Sequence, residues 1–102
     1  NMQAAIAAME TVDASIARVL AALDTHAGQC LITADHGNLE NMYDSDIAQP
    51  HTAHTTNLVP LVYYGSQNIQ LSENGRLCDV APTLLKLMNL PQPVQMSGRA
   101  LC

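Results

Sequence analysis

The side chains of this chain best suited to chemistry lie in two short stretches, residues 32–38 and 51–57. Asp35 and His36 directly follow the apolar, partly β-branched run 31–34, which predicts a buried strand. In open α/β sheets, ligands bind beyond the carboxyl ends of the strands. Carboxylate and imidazole groups both bind manganese and zinc, so the pair predicts part of a metal site.

Gly37 follows this pair, and it bears on whether the two side chains can act together. Consecutive side chains on a regular strand point to opposite faces, whereas a turn at a glycine lets them converge. His54 precedes a second predicted strand, residues 58–64. If the two strands are parallel neighbours, His54 reaches the same edge as Asp35 and His36. The spacing of His51 and His54 alone does not distinguish ligands from structural histidines.

These stretches resemble the metal motifs near the carboxyl terminus of cofactor-independent phosphoglycerate mutases, which are members of the alkaline phosphatase superfamily. The resemblance covers nearly the whole chain, through segments 1–23, 32–38, 50–60, 77–85 and 96–101. It implies a three-layer α/β/α fold with a mostly parallel sheet and a small hairpin. Residues 1–102 are then one incomplete domain, the carboxyl-terminal part of the metal-binding domain.

The resemblance also implies a reaction and its cofactors. Family members interconvert 3-phosphoglycerate and 2-phosphoglycerate in glycolysis and gluconeogenesis, through a phosphoserine at a site with two divalent ions. Mn²⁺ is the expected metal, with Zn²⁺ or Mg²⁺ as alternatives. Asp35 and His36 correspond to ligands of one ion, and His54 corresponds to a ligand of the other. His51 and Asn38 are expected near the substrate or behind the ligands.

Several parts of the family's pattern do not occur in residues 1–102: the nucleophilic serine, the Asp-x-x-x-His motif and the substrate-binding domain. The chain begins with Asn1, not methionine, so a piece of a longer protein is expected. We predict weak manganese binding and no mutase activity for this piece alone. The full-length protein is expected to be a monomer, whereas the piece would self-associate through an exposed sheet edge.

Two other classes of function remain open from the sequence. One is another enzyme of the superfamily, such as a phosphopentomutase, phosphatase or sulfatase, although the string 51–57 argues against it. The other is a non-catalytic metal-binding or interaction module that retains the motif.

Composition limits the partners and the compartment. The net charge is −5, and the four basic residues are scattered, which argues against a nucleic-acid partner. A phosphorylated, carboxylated substrate needs several basic groups, so those must lie elsewhere. Three cysteines without a C-x-x-C pair argue against a disulfide framework. No apolar run reaches the length of a membrane span, and the expected location is the cytoplasm.

The periodicity of apolar residues predicts the elements around the site. A helix is expected over residues 2–24, ended by a left-handed Gly28 and with His26 as a surface cap residue. A strand over 29–34 follows, with Cys30 in the core. The polar segment 37–50 predicts a loop, whose carboxylates Glu40, Asp44 and Asp46 are more readily explained by solvation than by ligation.

The remaining sequence predicts supporting structure. Residues 68–78 indicate a small hairpin around the turn 72–75. Asp79 is expected to cap a second helix that has Pro82 in its first turn and an apolar face of Leu84, Leu85, Leu87 and Met88. The segment 89–91 ends that helix. The tail to Cys102 has no usable periodicity.

Overall fold

A computed structural model describes residues 2–40, 43–44, 49–50 and 55–102, with 43–44 and 49–50 described by their backbone alone. The predicted site residues His51 and His54, and the loop carboxylate Asp46, lie outside the described residues. The elements in chain order are α1 (Met2–Thr25), β1 (Cys30–Thr33), β2 (Tyr43–Asp44), β3 (Gln49–Pro50), β4 (Leu61–Tyr64), a 3-10 turn (Leu77–Asp79) and α2 (Val80–Leu87).

The chain divides into two compact units, which are described separately below. The first unit contains residues 1–28 and 33–61, and the second contains residues 29–32 and 62–102. The assignment of residues 1–102 to one incomplete domain stays a prediction.

Helix α1 confirms the predicted helix almost to the residue. Eight alanines among residues 2–24 favour it, because alanine has the highest helix propensity. None of its residues is buried, and Met2 and Val19 expose 57% and 56% of their surface. The apolar stripe that predicted the helix is therefore only partly covered, with Ile16, Leu20 and Leu23 half-buried.

The end of α1 is a Schellman motif in which Ala27, not Gly28, takes the left-handed conformation. The backbone N–H of Gly28 donates to the carbonyl of Leu23 at 2.8 Å, and that of Ala27 donates to Asp24 at 3.4 Å. Ala27 has φ 51°, whereas no glycine in the described residues has a positive φ. The prediction was wrong by one position, because the bonding pattern places the residue before Gly28 at the left-handed site. His26 is a surface cap, as predicted, with Nδ1 2.9 Å from the carbonyl of Ala22.

Strands β1 and β4 are hydrogen-bonded neighbours in a two-stranded sheet, so the predicted adjacency is confirmed. Thr33 Oγ1 donates to the carbonyl of Pro60 at 2.8 Å, which fixes the end of β1 beside the residue that precedes β4. Pro60 lacks a backbone donor and lies just before β4, which begins at Leu61 and not at residue 58 as predicted. The prediction of a buried strand was wrong: β1 is half-buried, and so is Cys30.

A small antiparallel hairpin is present, but not where the sequence predicted it. Strands β2 and β3 pair with Tyr43 opposite Pro50 and Asp44 opposite Gln49, inside the segment predicted to be a loop. Residues 68–76 contain no strand. There the backbone N–H of Ser72 donates to the carbonyl of Leu101 at 2.7 Å, so this segment bonds to the tail rather than to residues 76–78.

The second unit is centred on Thr83, which is fully buried, and on Asp79 and Leu101, each only 2% exposed. The carboxylate of Asp79 does not cap α2 as predicted. Instead it accepts the backbone N–H of Arg76 at 2.7 Å and that of Arg99 at 2.8 Å. These two bonds hold the pKa of Asp79 below its ordinary value, because both N–H groups favour the charged carboxylate.

Helix α2 confirms the predicted apolar face in part. Leu87 is buried and Leu85 is half-buried, as predicted, whereas Leu84 and Met88 are exposed. Pro82 and Thr83 are buried as well. Pro82 lies in the first turn, as predicted. The helix ends as predicted, with Asn89 at φ 57° and the N–H of Leu90 donating to the carbonyl of Leu85 at 2.9 Å. Both helices therefore end in the same hydrogen-bonding motif.

Candidate metal centre

Asp35 and His36 lie in a bend directly after β1, and their side chains converge. Asp35 Oδ1 is 3.6 Å from His36 Nε2, and the two side chains expose 84% and 37% of their surface. Two ligand atoms that bind one ion at about 2.1 Å are separated by about 3.0–3.5 Å. The observed separation is close to that value, so a small rotation of either side chain would let both atoms bind one ion.

The orientation of the His36 ring is set by its other nitrogen. His36 Nδ1 lies 3.1 Å from the carbonyl oxygen of Gly37. A carbonyl oxygen can only accept, so this contact requires the proton on Nδ1 and leaves the lone pair on Nε2. Histidines that bind metals commonly donate their second N–H to a carbonyl in this way. In this tautomer the nitrogen nearest Asp35 is the one that would bind a metal.

Gly37 joins the bend after β1 to the segment that leads into β4. Its carbonyl accepts the backbone N–H of Thr55 at 2.8 Å, and the two residues form an isolated antiparallel bridge. A Cβ at Gly37 would overlap Thr55 Oγ1 and Glu40 Oε1 and would lie 2.8 Å from Glu40 Cδ. Glycine is needed here for close packing and not for a left-handed turn, which is a different reason from the one the sequence suggested.

The carboxylate of Glu40 accepts three hydrogen bonds, two of them from residues that are 15 and 17 positions away in sequence. Thr55 Oγ1 donates to Oε1 through a short bond, Asn57 Nδ2 donates to Oε1 at 3.2 Å, and the backbone N–H of Asn38 donates to Oε2 at 2.7 Å. These donors, Thr55 first, lower the pKa of Glu40 from 4.5 to about 2. Glu40 is exposed, as predicted for a solvated loop carboxylate, and it is also held by hydrogen bonds that the sequence did not indicate.

The structure brings together part of the predicted site. Asp35, His36 and Asn38 lie within one bend, and His51 and His54 lie outside the described residues. Over residues 2–40, 43–44, 49–50 and 55–102, no group of three or more histidine, cysteine, aspartate or glutamate side chains is placed to hold a metal. The described donor set is therefore one carboxylate and one imidazole, which fits part of a manganese or zinc site.

Sequence reasoning missed the partners that hold this bend. Glu40, Thr55 and Asn57 form one hydrogen-bonded group, yet Glu40 is 15 positions from Thr55 and 17 from Asn57. No periodicity links residues at that separation. The usable signal is compositional: Thr55 and Asn57, a hydroxyl and an amide side chain, follow the histidine motif. Exposed polar side chains need no partner, so their presence does not identify Glu40 as the residue they contact.

The first unit is strongly acidic. The sequence of this unit, residues 1–28 and 33–61, contains one arginine, Arg18, and no lysine. It contains seven acidic residues: Glu10, Asp13, Asp24, Asp35, Glu40, Asp44 and Asp46. Such a charge distribution attracts cations and repels anions. Of the other basic residues, Lys86 donates to the carbonyl of Cys102 in the second unit.

The carboxylate–imidazole pair after β1 agrees with the family to which the sequence belongs. Residues 1–92 match the Metalloenzyme superfamily, and the chain belongs to that superfamily, which implies metal binding.

Individual relatives carry a more specific name. The chain is 54% identical, over 99% of its length, to the 2,3-bisphosphoglycerate-independent phosphoglycerate mutase of Thiobacillus denitrificans. It is 52% identical to the enzyme of that name from Saccharophagus degradans over 99% of its length, and 55% identical to that of Hahella chejuensis over 96%. The chain spans about a fifth of the length of these relatives, 20%, 20% and 19% respectively.

Among the residues that the structure describes, no helix is both long enough and apolar enough to cross a bilayer.

Proposed function

We propose that this chain is part of a cofactor-independent phosphoglycerate mutase, which interconverts 3-phosphoglycerate and 2-phosphoglycerate through a phosphoserine. The observation that carries the proposal is the convergence of Asp35 Oδ1 and His36 Nε2 to 3.6 Å directly after β1. Identities of 52–55% to enzymes of that name, over nearly the whole chain, favour this reaction over those of other superfamily members. The same identities disfavour a non-catalytic module.

The role proposed for the chain is to hold divalent ions, with manganese as the expected metal. Asp35 and His36 would hold one ion, and His54 would contribute to a second. When bound, such ions supply positive charge that stabilises the oxygens of a transferring phosphoryl group. The Gly37 carbonyl holds the His36 ring with Nε2 toward Asp35, and the acidity of the first unit favours cation uptake.

The same acidity argues that the phosphoglycerate substrate is held by other parts of the parent enzyme. A substrate with a phosphate and a carboxylate needs basic partners, and the first unit has only Arg18 in its sequence. We therefore expect no mutase activity from residues 1–102 alone.

Several finer features belong to the same proposal. The parent is expected to be a cytoplasmic, monomeric enzyme of glycolysis and gluconeogenesis with a three-layer α/β/α domain. This chain is expected at its carboxyl-terminal end. The isolated chain is expected to self-associate, since within the described residues the sheet of β1 and β4 has two strands, each of which is an edge strand.

Metal binding can be tested directly on the 102-residue chain. Mn²⁺ is titrated into the wild type and into Asp35→Asn and His36→Ala, and free Mn²⁺ is followed by electron paramagnetic resonance. Asp13→Asn is the matched control, because it removes one exposed carboxylate of the same unit from α1. We expect weak binding by the wild type and by the control, and at least tenfold weaker binding by the two ligand variants. Equal binding by all four proteins would contradict the proposed ligands.

Activity is tested by incubating the chain with 3-phosphoglycerate and Mn²⁺ and coupling any 2-phosphoglycerate to enolase. We expect no turnover above the blank. Turnover that disappears in Asp35→Asn would contradict the view that the serine and the substrate clamp lie elsewhere in the parent.

A further inference from the structure

Glu40 connects two segments that both border the proposed metal ligands. Its carboxylate accepts from Asn38, two residues after His36, and from Thr55 and Asn57, which lie on the approach to β4. Glu40 comes four positions after His36 in the sequence, and Thr55 directly follows His54. One side chain therefore holds together the two parts of the sequence that carry the predicted ligands.

The backbone reinforces this connection at one point. The N–H of Thr55 donates to the carbonyl of Gly37 at 2.8 Å, and that carbonyl is the oxygen that faces His36 Nδ1. Thr55 is thus held twice, by its backbone to Gly37 and by its hydroxyl to Glu40. Any displacement of Thr55 would disturb the carbonyl that orients the His36 ring.

Glycine at position 37 makes this arrangement possible. A Cβ there would occupy the space of the Glu40 and Thr55 oxygens, so the two side chains meet directly over the glycine. Gly37 is buried, whereas the side chains of Asp35 and His36 expose 84% and 37% of their surface. The Glu40 group uses no atom of the Asp35 or His36 side chain.

We propose that Glu40 is a positioning residue, which holds Thr55 against Gly37 and so fixes the approach to β4 beside an ion bound by Asp35 and His36. This inference rests on the proposed function, because it requires that Asp35 and His36 bind the ion. The proposal gives Glu40 a positioning role and not a ligand role, because both of its oxygens accept hydrogen bonds from the protein.

The test measures the distance between a bound Mn²⁺ ion and Thr55. Paramagnetic Mn²⁺ broadens amide resonances steeply as their distance from the ion decreases, so the Thr55 amide reports its position in the ¹⁵N–¹H spectrum of the whole chain. In the wild type we expect strong broadening of the amides of residues 35–37 and of Thr55. In Glu40→Gln, the amides of 35–37 should stay broadened as in the wild type, while the broadening of Thr55 is weaker than in the wild type.

Two variants at Thr55 and one control complete the design. Thr55→Val removes the hydroxyl donor and should reproduce the effect of Glu40→Gln, whereas Thr55→Ser keeps the hydroxyl and should retain the broadening. Glu73→Gln removes one exposed carboxylate from the second unit and should behave as the wild type. Amide hydrogen exchange without metal provides a second measurement, in which Thr55 loses protection in Glu40→Gln and Thr55→Val.

The outcomes separate the two proposals. Absence of broadening at residues 35–37 in the wild type would show that the proposed metal function has failed, and this inference with it. Normal broadening at 35–37 together with unchanged Thr55 broadening and exchange in Glu40→Gln would overturn the positioning role alone. A loss in Thr55→Ser equal to that in Thr55→Val would also overturn it, because the hydroxyl would then be irrelevant.

Discussion

Thr83 Oγ1 accepts the backbone N–H of Leu101 at 2.9 Å, across 18 positions of sequence. The same hydroxyl donates to the carbonyl of Asp79 at 2.7 Å. Thr83 is fully buried and Leu101 is 2% exposed, so this hydroxyl satisfies two backbone groups that water does not reach. The carboxyl-terminal tail is therefore attached to α2 by a polar contact inside the second unit.

Thr83→Val should destabilise the chain by about 1–3 kcal/mol. Valine keeps the shape of the side chain but leaves the N–H of Leu101 and the carbonyl of Asp79 without this partner. The measurement is the free energy of unfolding from urea denaturation. Thr56→Val, at an exposed position, is the control and should change it by less than about 0.5 kcal/mol. Similar losses in both variants would contradict the role given to the buried hydroxyl.

Leu101→Ala should cost about 2–4 kcal/mol, because it removes most of a buried side chain and leaves a cavity. Leu101 is 2% exposed, whereas Val94 in the same tail is 95% exposed. Val94→Ala is therefore the matched control, with an expected change of less than about 0.5 kcal/mol. The free energy of unfolding of both variants is measured by urea denaturation. The same small change in both would contradict the burial of Leu101.

The tail shows what sequence patterns cannot predict. Helices α1 and α2 follow from apolar spacing and from the residues at their ends, which are local signals. The tail has no period, and it is held by single contacts to Asp79 and Thr83, which lie 20 and 18 positions away. The same limit explains the wrongly placed hairpin, since Ser72 bonds to Leu101 and not to its sequence neighbours.

The candidate metal centre also has one part that the sequence predicts and one part that it does not. Asp35 and His36 are adjacent in sequence and directly precede Gly37, so their convergence was predictable from a turn just past the strand. The partners of Glu40 were not predictable, because their separation from it depends on how the chain returns to β4. Sequence alone therefore indicated the pair Asp35 and His36, but not the hydrogen-bonded group around Glu40.

Ala27→Gly should stabilise the chain by about 1 kcal/mol. Ala27 has φ 51°, a conformation that costs L-residues with a Cβ about 1–2 kcal/mol, whereas glycine adopts it readily. Ala21→Gly, at an interior position of α1, should have the opposite sign and destabilise by about 1 kcal/mol. Thermal unfolding of the two variants in parallel gives the comparison. Destabilisation by Ala27→Gly would contradict the assignment of Ala27 to the left-handed end of the helix.

Glu40 should make the stability of the chain depend on pH in the acid range. Its pKa is lowered from 4.5 to about 2 in the folded chain, so between these values the unfolded chain binds more protons. The stabilising contribution of Glu40 is thus complete above about pH 4.5 and is lost as the pH falls toward 2. The free energy of unfolding should decrease over this window, and less steeply in Glu40→Gln than in the wild type. Glu73→Gln is the control with the same change in charge, and its pH dependence should follow that of the wild type. A carboxyl ¹³C titration that places the Glu40 transition near pH 4.5 would contradict the prediction.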